Sequence, residues 1–104
     1  MDKQNDVTQA MRAILMDWLV EVQEEFRMQP ETLYLAHNFI DRYLSLECVQ
    51  RTRLQLLGVT SIFIATKLEE CFSPRVKEFV YITDNAYSER DVRDKTIVLC
   101  FAYI

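Results

Sequence analysis

Glycine occurs once in these 104 residues and proline twice. Sandwiches and barrels turn the chain about every 8–12 residues and draw on both residue types to do so. Their scarcity excludes an all-β fold. Histidine occurs once, and the three cysteines, Cys48, Cys71 and Cys100, include no C-x-x-C pair. Structural zinc takes four Cys or His ligands at close spacing, so no metal and no cofactor are expected. An odd cysteine count without a secretory leader points to a reducing intracellular setting, with the thiols as small core or boundary residues. The longest apolar runs, in 54–66 and 96–104, are too short or too interrupted to span a bilayer, so no membrane partner is expected. Gly58 stands alone, so there is no glycine-rich phosphate loop, and no nucleophile sits at a recognisable spacing from a base. No catalytic residues are assigned. A net charge of −4 argues against a nucleic-acid footprint.

What is present is helical pattern. Half the residues are hydrophobic and 27% are charged, the composition of one globular domain. Residues 1–7 are polar and expected to be flexible, leaving 8–104 as a single domain. A first helix starts at the N-cap candidate Thr8 and runs to about Arg27. At 100° per residue, Leu15, Leu19, Val22 and Phe26 share an arc about 60° wide, and Met11, Ile14, Trp18 and Glu21 form an adjacent one. Two apolar edges on one helix exceed what a single core contact needs. Gln29-Pro30-Glu31 ends that helix and opens a second over roughly 31–45, with Leu33, Ala36, Phe39, Ile40, Tyr43 and Leu44 at helical spacing. After a short connection, Val49 to Arg53, a third helix over roughly 51–70 is apolar almost all the way round, the mark of a buried bundle centre. Ser73-Pro74 is expected to open a short fourth helix to about Ile82. Ser88 with Asp91 reads as a capping box for a fifth, frayed within the apolar run Thr96 to Ile104. The fold class is all-α, a five-helix bundle around a buried third helix.

His37, near the apolar arc of the second helix, reads as a half-buried structural histidine. The neighbouring carboxylates Glu24-Glu25 and Glu69-Glu70 diverge by about 100° on a helix and do not converge on a site. Three charges lie inside apolar runs, Arg12, Asp41 and Lys67, and a charge so placed is paired or faces a partner. Arg12 with Asp41 reads as a structural bridge between helices one and two. Lys67 either snorkels or serves an intermolecular contact.

The ordered blocks Met11-Arg12-Ala13-Ile14-Leu15, Asp17-Trp18-Leu19-Val20-Glu21-Val22, Glu31-Thr32-Leu33, Asp41-Arg42-Tyr43-Leu44, Leu54-Gln55-Leu56, Ala65-Thr66-Lys67-Leu68-Glu69-Glu70 and Phe79-Val80-Tyr81-Ile82-Thr83-Asp84 resemble the cyclin box of A- and B-type mitotic cyclins over roughly residues 7 to 93. The first helix and Phe79–Asp84 lean toward the A type, Phe72-Ser73-Pro74 toward the B type. The resemblance implies a five-helix cyclin-box fold, action in the nucleus and cytoplasm, and a regulatory subunit that binds a cyclin-dependent kinase without catalysing anything itself. It implies that Lys67, Leu68 and Glu69 contact the kinase and that Arg12 and Asp41 are an internal buried pair. It further implies a docking groove for substrates or inhibitors bearing an arginine-x-leucine motif. Met11, Ile14, Leu15, Trp18, Glu21, Leu54 and Gln55 match that groove, with Glu21 facing the cationic residue of the ligand.

Two departures qualify the resemblance. Thr96 stands where the family carries a glutamate used with the central-helix lysine. The second five-helix repeat, the long N-terminal helix and the destruction signals of full-length mitotic cyclins are absent from the chain. A truncated cyclin-fold scaffold that binds docking-motif proteins without activating a kinase is therefore the alternative. Cyclin-fold factors that contact DNA are a third possibility, disfavoured by the acidic balance.

Overall fold

In the computed structural model, which describes residues 7–69, 75–83 and 86–103, five helices follow one another: α1 (Gln9–Glu25), α2 (Pro30–Leu46), α3 (Leu54–Glu69), α4 (Val76–Ile82) and α5 (Glu89–Tyr103), with a 3-10 turn at Arg51–Arg53 ahead of α3. No strand occurs among the described residues. The start of each helix follows from its first side chains. The Thr8 hydroxyl accepts from the Met11 N–H at 3.2 Å, satisfying one of the unpaired donors of the first turn of α1. Pro30 occupies the first turn of α2, where a missing N–H costs nothing. Ser88 and Asp91 exchange side-chain and backbone bonds at 3.1 and 3.0 Å, closing the expected capping box on α5. That bond to the Ser88 N–H holds the Asp91 carboxyl below its ordinary pKa.

The third helix is the hub. Eleven of its residues are buried, and α1, α2, α4 and α5 all pack on it. Leu57, Val59, Ile62 and Ala65 have no exposed surface at all, so apolar contact on every side holds this helix, each large side chain contributing about 1.5–3 kcal/mol of burial. Its small polar residues are part of the same packing. Thr60 and Ser61 are fully buried, and their hydroxyls find no hydrogen-bond partner. Short side chains are tolerated there because they admit neighbouring helices closely, at the expense of unpaired oxygens. Phe79 of α4, fully buried, meets Phe26 at 5.4 Å and Phe63 at 5.5 Å between ring centroids, tying the short helix to α1 and α3. Tyr87 donates to the Thr52 carbonyl at 2.7 Å and anchors the start of α5 to the 3-10 turn.

Several boundaries and placements differ from expectation. Arg75, not Ser73, is the N-cap of α4, and its N–H is taken by the Glu78 carboxylate at 2.8 Å. A glutamate three residues along stabilises that start whatever precedes it. Ser73 and Pro74 lie outside the described residues. The third helix begins with a 3-10 turn at Arg51 and becomes α-helical only at Leu54. Val7, assigned to a flexible segment, is buried in the core; residues 1–6 lie outside the described residues. Cys48 is exposed rather than a core or boundary residue, because it falls in the polar connection after α2; Cys71 and the side chain of Cys100 lie outside the described residues. Among the described residues no helix is long and apolar enough to cross a membrane, and no three His, Cys, Asp or Glu side chains are grouped to hold a metal.

The end of α1 carries the one left-handed non-glycine residue among the described residues, Arg27, with φ of 54°. The Met28 N–H reaches the Gln23 carbonyl at 2.9 Å and the Arg27 N–H reaches Glu24 at 3.2 Å, a Schellman closure. A second bond from Gln23 Nε2 to the Met28 carbonyl, at 2.7 Å, holds the turn. An arginine in this conformation carries about 1 kcal/mol of steric cost that glycine would not. Arg27→Gly is therefore expected to raise unfolding stability by up to about 1 kcal/mol in urea titration, and Arg27→Ala to leave it unchanged.

Candidate functional site

The surplus edge of α1 forms one wall of a surface cavity. Met11, Ile14, Leu15 and Trp18 from α1, Leu54 and Gln55 from the start of α3, and Arg51 from the 3-10 turn enclose about 420 Å³. The spacing explains the geometry: Leu15 lies on the inner edge of α1, Ile14 and Trp18 one step round, so a helix seated on the core by Leu15, Leu19 and Val22 turns the other edge outward. Leu15 is buried, Met11 and Trp18 are half-buried, and Ile14 is 69% exposed. A β-branched apolar residue this open beside a half-buried tryptophan is a surface with no partner within the described chain.

Six of the seven residues expected in a groove thus line one cavity. Glu21 does not: it is exposed, two helical turns from Ile14, and sits beyond the lining. Arg51 lines it unforeseen. Its only sequence signal is its place directly before the apolar run of α3, and nothing local tells that the turn folds back toward α1.

The second surface lies at the other end of α3. Lys67, Leu68 and Glu69 are exposed, and Leu68 keeps 56% of its surface open. Lys67 Nζ sits 5.3 Å from the Phe63 ring centroid, a cation–π contact that holds the ammonium over an aromatic face on the same helix. Thr96, on α5, is half-buried and its hydroxyl donates to the Val92 carbonyl of its own helix at 2.7 Å. It presents no carboxylate to Lys67. One residue earlier, Lys95 Nζ meets the Tyr43 hydroxyl at 2.6 Å and so cross-links α5 to α2.

Arg12 and Asp41 do pair across α1 and α2. Arg12 Nε donates to Asp41 Oδ1 at 2.7 Å and a terminal guanidinium nitrogen donates to Oδ2 at 2.8 Å, a two-bond fork. The expectation of a buried pair is corrected: the side chains are 29% and 48% exposed. Both lie at the margin of the α1–α2 contact, where the guanidinium stem covers apolar surface and the heads stay wet. His37, one helical turn from Asp41, is half-buried as expected, and its Nε2 is shut off without a hydrogen-bond partner. Burial lowers its pKa; Asp41 opposes that shift and Arg12 reinforces it.

The family model for the N-terminal domain of cyclins matches residues 1–99. Cyclin-A1 of Mus musculus is 56% identical over 92 residues, 88% of this chain and 22% of that protein. Cyclin-A2-1 of Oryza sativa subsp. japonica is 56% identical over 89 residues, 86% of this chain and 18% of that protein. The G2/mitotic-specific cyclin-A of Patella vulgata is 55% identical over 92 residues, 88% and 22% of the two chains. The X-ray structure of a viral cyclin from herpesvirus saimiri superposes with a TM-score of 0.86 at 21% identity, over 94% of this chain and 43% of that one, a likeness of fold. The chain belongs to the cyclin family, and its fold is that of a cyclin box. Cyclins are regulatory subunits rather than enzymes. The chain spans about a fifth of the length of these curated relatives.

The fork between Arg12 and Asp41 is half-exposed, so Arg12→Ala or Asp41→Ala is expected to cost about 1 kcal/mol rather than the roughly 3 of a buried pair. A double-mutant cycle in urea should return a coupling of about 0.5–1 kcal/mol, falling with added salt; strictly additive losses would show the two residues to be uncoupled. For His37 the folded pKa lies below the ordinary 6.5. The unfolded chain therefore binds its proton first, and stability is lost as pH falls below about 6.5 toward the folded value. His37→Leu is expected to flatten that part of the stability–pH curve; an unchanged acid limb would assign the loss to other groups.

Proposed function

We propose that the chain is a cyclin-type regulatory module that binds a cyclin-dependent kinase and recruits substrates or inhibitors carrying an arginine-x-leucine motif. The observation that carries the recruiting half is the exposed Ile14 beside Trp18 in a cavity that Met11, Leu15 and Leu54 make largely apolar, with Gln55 and Arg51 as its polar members. A leucine side chain fills such a cavity, and a short peptide can cross it without displacing any core residue. Glu21, exposed beyond the cavity, is placed to attract the cationic residue of the motif from a distance rather than to bond it inside the groove. The kinase half rests on family membership and on Lys67, Leu68 and Glu69, which offer a lysine held over a ring, an open leucine and a carboxylate on one end of the central helix.

A specific observation favours a second reading, a scaffold that recruits without activating. With the Thr96 hydroxyl spent on the Val92 carbonyl, Lys67 meets a kinase without the carboxylate that the resemblance places beside it. A lost charge-assisted contact at an interface centre costs about 2–5 kcal/mol. The two readings differ in one measurement, kinase capture followed by a histone phosphorylation assay. Weak capture and poor activation by the chain as written are expected, with Thr96→Glu strengthening capture at least about tenfold. Full activation by the unaltered chain, or no gain from Thr96→Glu, would overturn the importance of that position.

For the groove, Trp18→Ala is expected to weaken an arginine-x-leucine peptide by about 2 kcal/mol or more, roughly thirtyfold. Trp18 also packs on the core, so Ile14→Asp, at an exposed position, supplies the cleaner arm. It should abolish peptide binding with an unchanged far-ultraviolet circular dichroism spectrum and melting temperature. Peptide binding that survives Ile14→Asp would place the docking site elsewhere.

A further inference from the structure

The corner where α3, α4 and α5 meet gathers positive charge, of which only Lys67 belongs to a surface described above. Phe63 and Lys67 of α3, Arg75 and Lys77 at the start of α4, and Glu89 and Arg93 of α5 line one cavity of about 400 Å³. Four cations face a single carboxylate there, in a chain whose net charge is −4. The one carboxylate is occupied: Glu89 bonds Arg93 at 3.3 Å along the helix. The nearby Glu78 is also engaged, accepting from the Arg75 backbone N–H rather than from its guanidinium. Lys67, Arg75 and Lys77 form no ion pair among the described residues, and all three are exposed. Like charges gathered in one concavity repel, so the arrangement gains free energy when an anion enters.

We propose that this corner is a binding site for a phosphorylated side chain on a partner peptide. Three features select that ligand. A phosphoserine or phosphothreonine carries about −1.5 to −2 at neutral pH and offers several strong acceptor oxygens, matching three cations that form no ion pair among the described residues better than a single carboxylate does. Arg75 supplies a planar fork for two phosphate oxygens, while Lys67, held over the Phe63 ring, and Lys77 supply point charges from the other sides. The charge is confined to one cavity instead of running in a stripe, and the acidic remainder of the chain repels a polyanion, so nucleic acid is not the ligand. The site does not depend on kinase binding; Lys67 is the one residue shared with the proposed kinase contact, so the two occupants would compete at that point only.

The test is fluorescence polarisation of the chain with a fluorescein-labelled pentapeptide Ala-Gly-phosphoserine-Gly-Ala, its serine counterpart and its aspartate counterpart. The phosphopeptide is expected to bind at least about tenfold more tightly than the serine form, with the aspartate form between them. Lys77→Glu, and more so Lys77→Glu combined with Arg75→Glu, should abolish the preference. Arg90→Glu makes the same charge change on α5 outside the cavity, at a side chain 91% exposed, and should leave it intact. Inorganic phosphate should displace the peptide, and a ten-nucleotide oligothymidylate should do so no better than its phosphate content dictates. Equal binding of the phosphorylated and serine peptides overturns the proposal, as does an equal loss in Arg90→Glu and Lys77→Glu. Binding of inorganic phosphate without the peptide overturns the peptide as its source, and tighter binding of the oligonucleotide assigns the corner to nucleic acid instead. Failure here with retained kinase capture, or the converse, separates this site from the kinase surface.

Discussion

The contact on which both the core and the groove depend is the approach of α1 to α3 at Leu15 and Gly58. A side chain at position 58 would begin 2.6 Å from Leu15 Cδ1 and 3.3 Å from its Cγ, closer than carbon atoms pack. Glycine inside a helix costs about 1 kcal/mol relative to alanine, and it is used here in a helix that is otherwise apolar all round. What the absent side chain permits is a buried Leu15 lying flat against α3. Leu54, one helical turn before Gly58, stands beside that contact, and the two leucines together form the inner wall of the groove. The inner wall of this cavity is thus set by the same van der Waals contact that seats α1 on the core.

Seating α1 in this way leaves it with two jobs on adjoining strips. Leu15, Leu19 and Val22 are buried almost completely, whereas Ile14 keeps most of its surface in water. An isolated exposed isoleucine on a monomer needs no explanation, but one that borders Met11, Trp18 and Leu54 in a shared concavity marks a surface formed to be covered. The Arg12–Asp41 fork stands on the far side of the same helix and fixes its rotation against α2. It does so from a half-solvated position, where direction matters more than strength. Rotation of α1 by one residue step would swing Ile14 inward and Arg12 out of reach of Asp41, so the fork and the groove specify the same register.

The fold was legible because its signals are local. Helical periodicity, Thr8 and the Ser88–Asp91 box each act within one turn, and the structure carries them where the residues stand. The two edges of α1 were equally visible, since they follow from 100° per residue alone. What escaped is set by distant partners or by backbone geometry without a glycine signature. Arg27 takes a left-handed conformation that sequence assigns to Gly or Asn. Asp41 sits between buried Ile40 and Tyr43, a pattern that predicts burial, yet a helix margin lies one step from either. Arg51 lines the groove from the 3-10 turn, which Tyr87, thirty-five residues on from Thr52, ties down. The basic corner draws one or two residues from each of three helices, and no window of sequence contains them together.

That corner sets the electrostatic character of the Lys67 end of α3. Where the resemblance places a glutamate, Thr96 offers a hydroxyl already bonded within its own helix, and the surroundings of Lys67 lose their compensating charge. Arg75, Lys77 and Arg93 then add to the imbalance instead of relieving it, with Glu89 offsetting one cation only. A lysine flanked by a carboxylate presents a nearly neutral, directional hydrogen-bonding patch; a lysine flanked by cations presents a field. Fields of one sign steer approach and discriminate between partners over about a Debye length, roughly 8 Å at physiological salt, while paired charges act only on contact. A partner arriving at this end of α3 would therefore be selected by the negative charge it brings. At the opposite end, around Ile14 and Trp18, the open surface is largely apolar, and contact there would rest on shape and apolar area. The central helix thus joins a basic end and an apolar end, whose contacts salt would affect unequally.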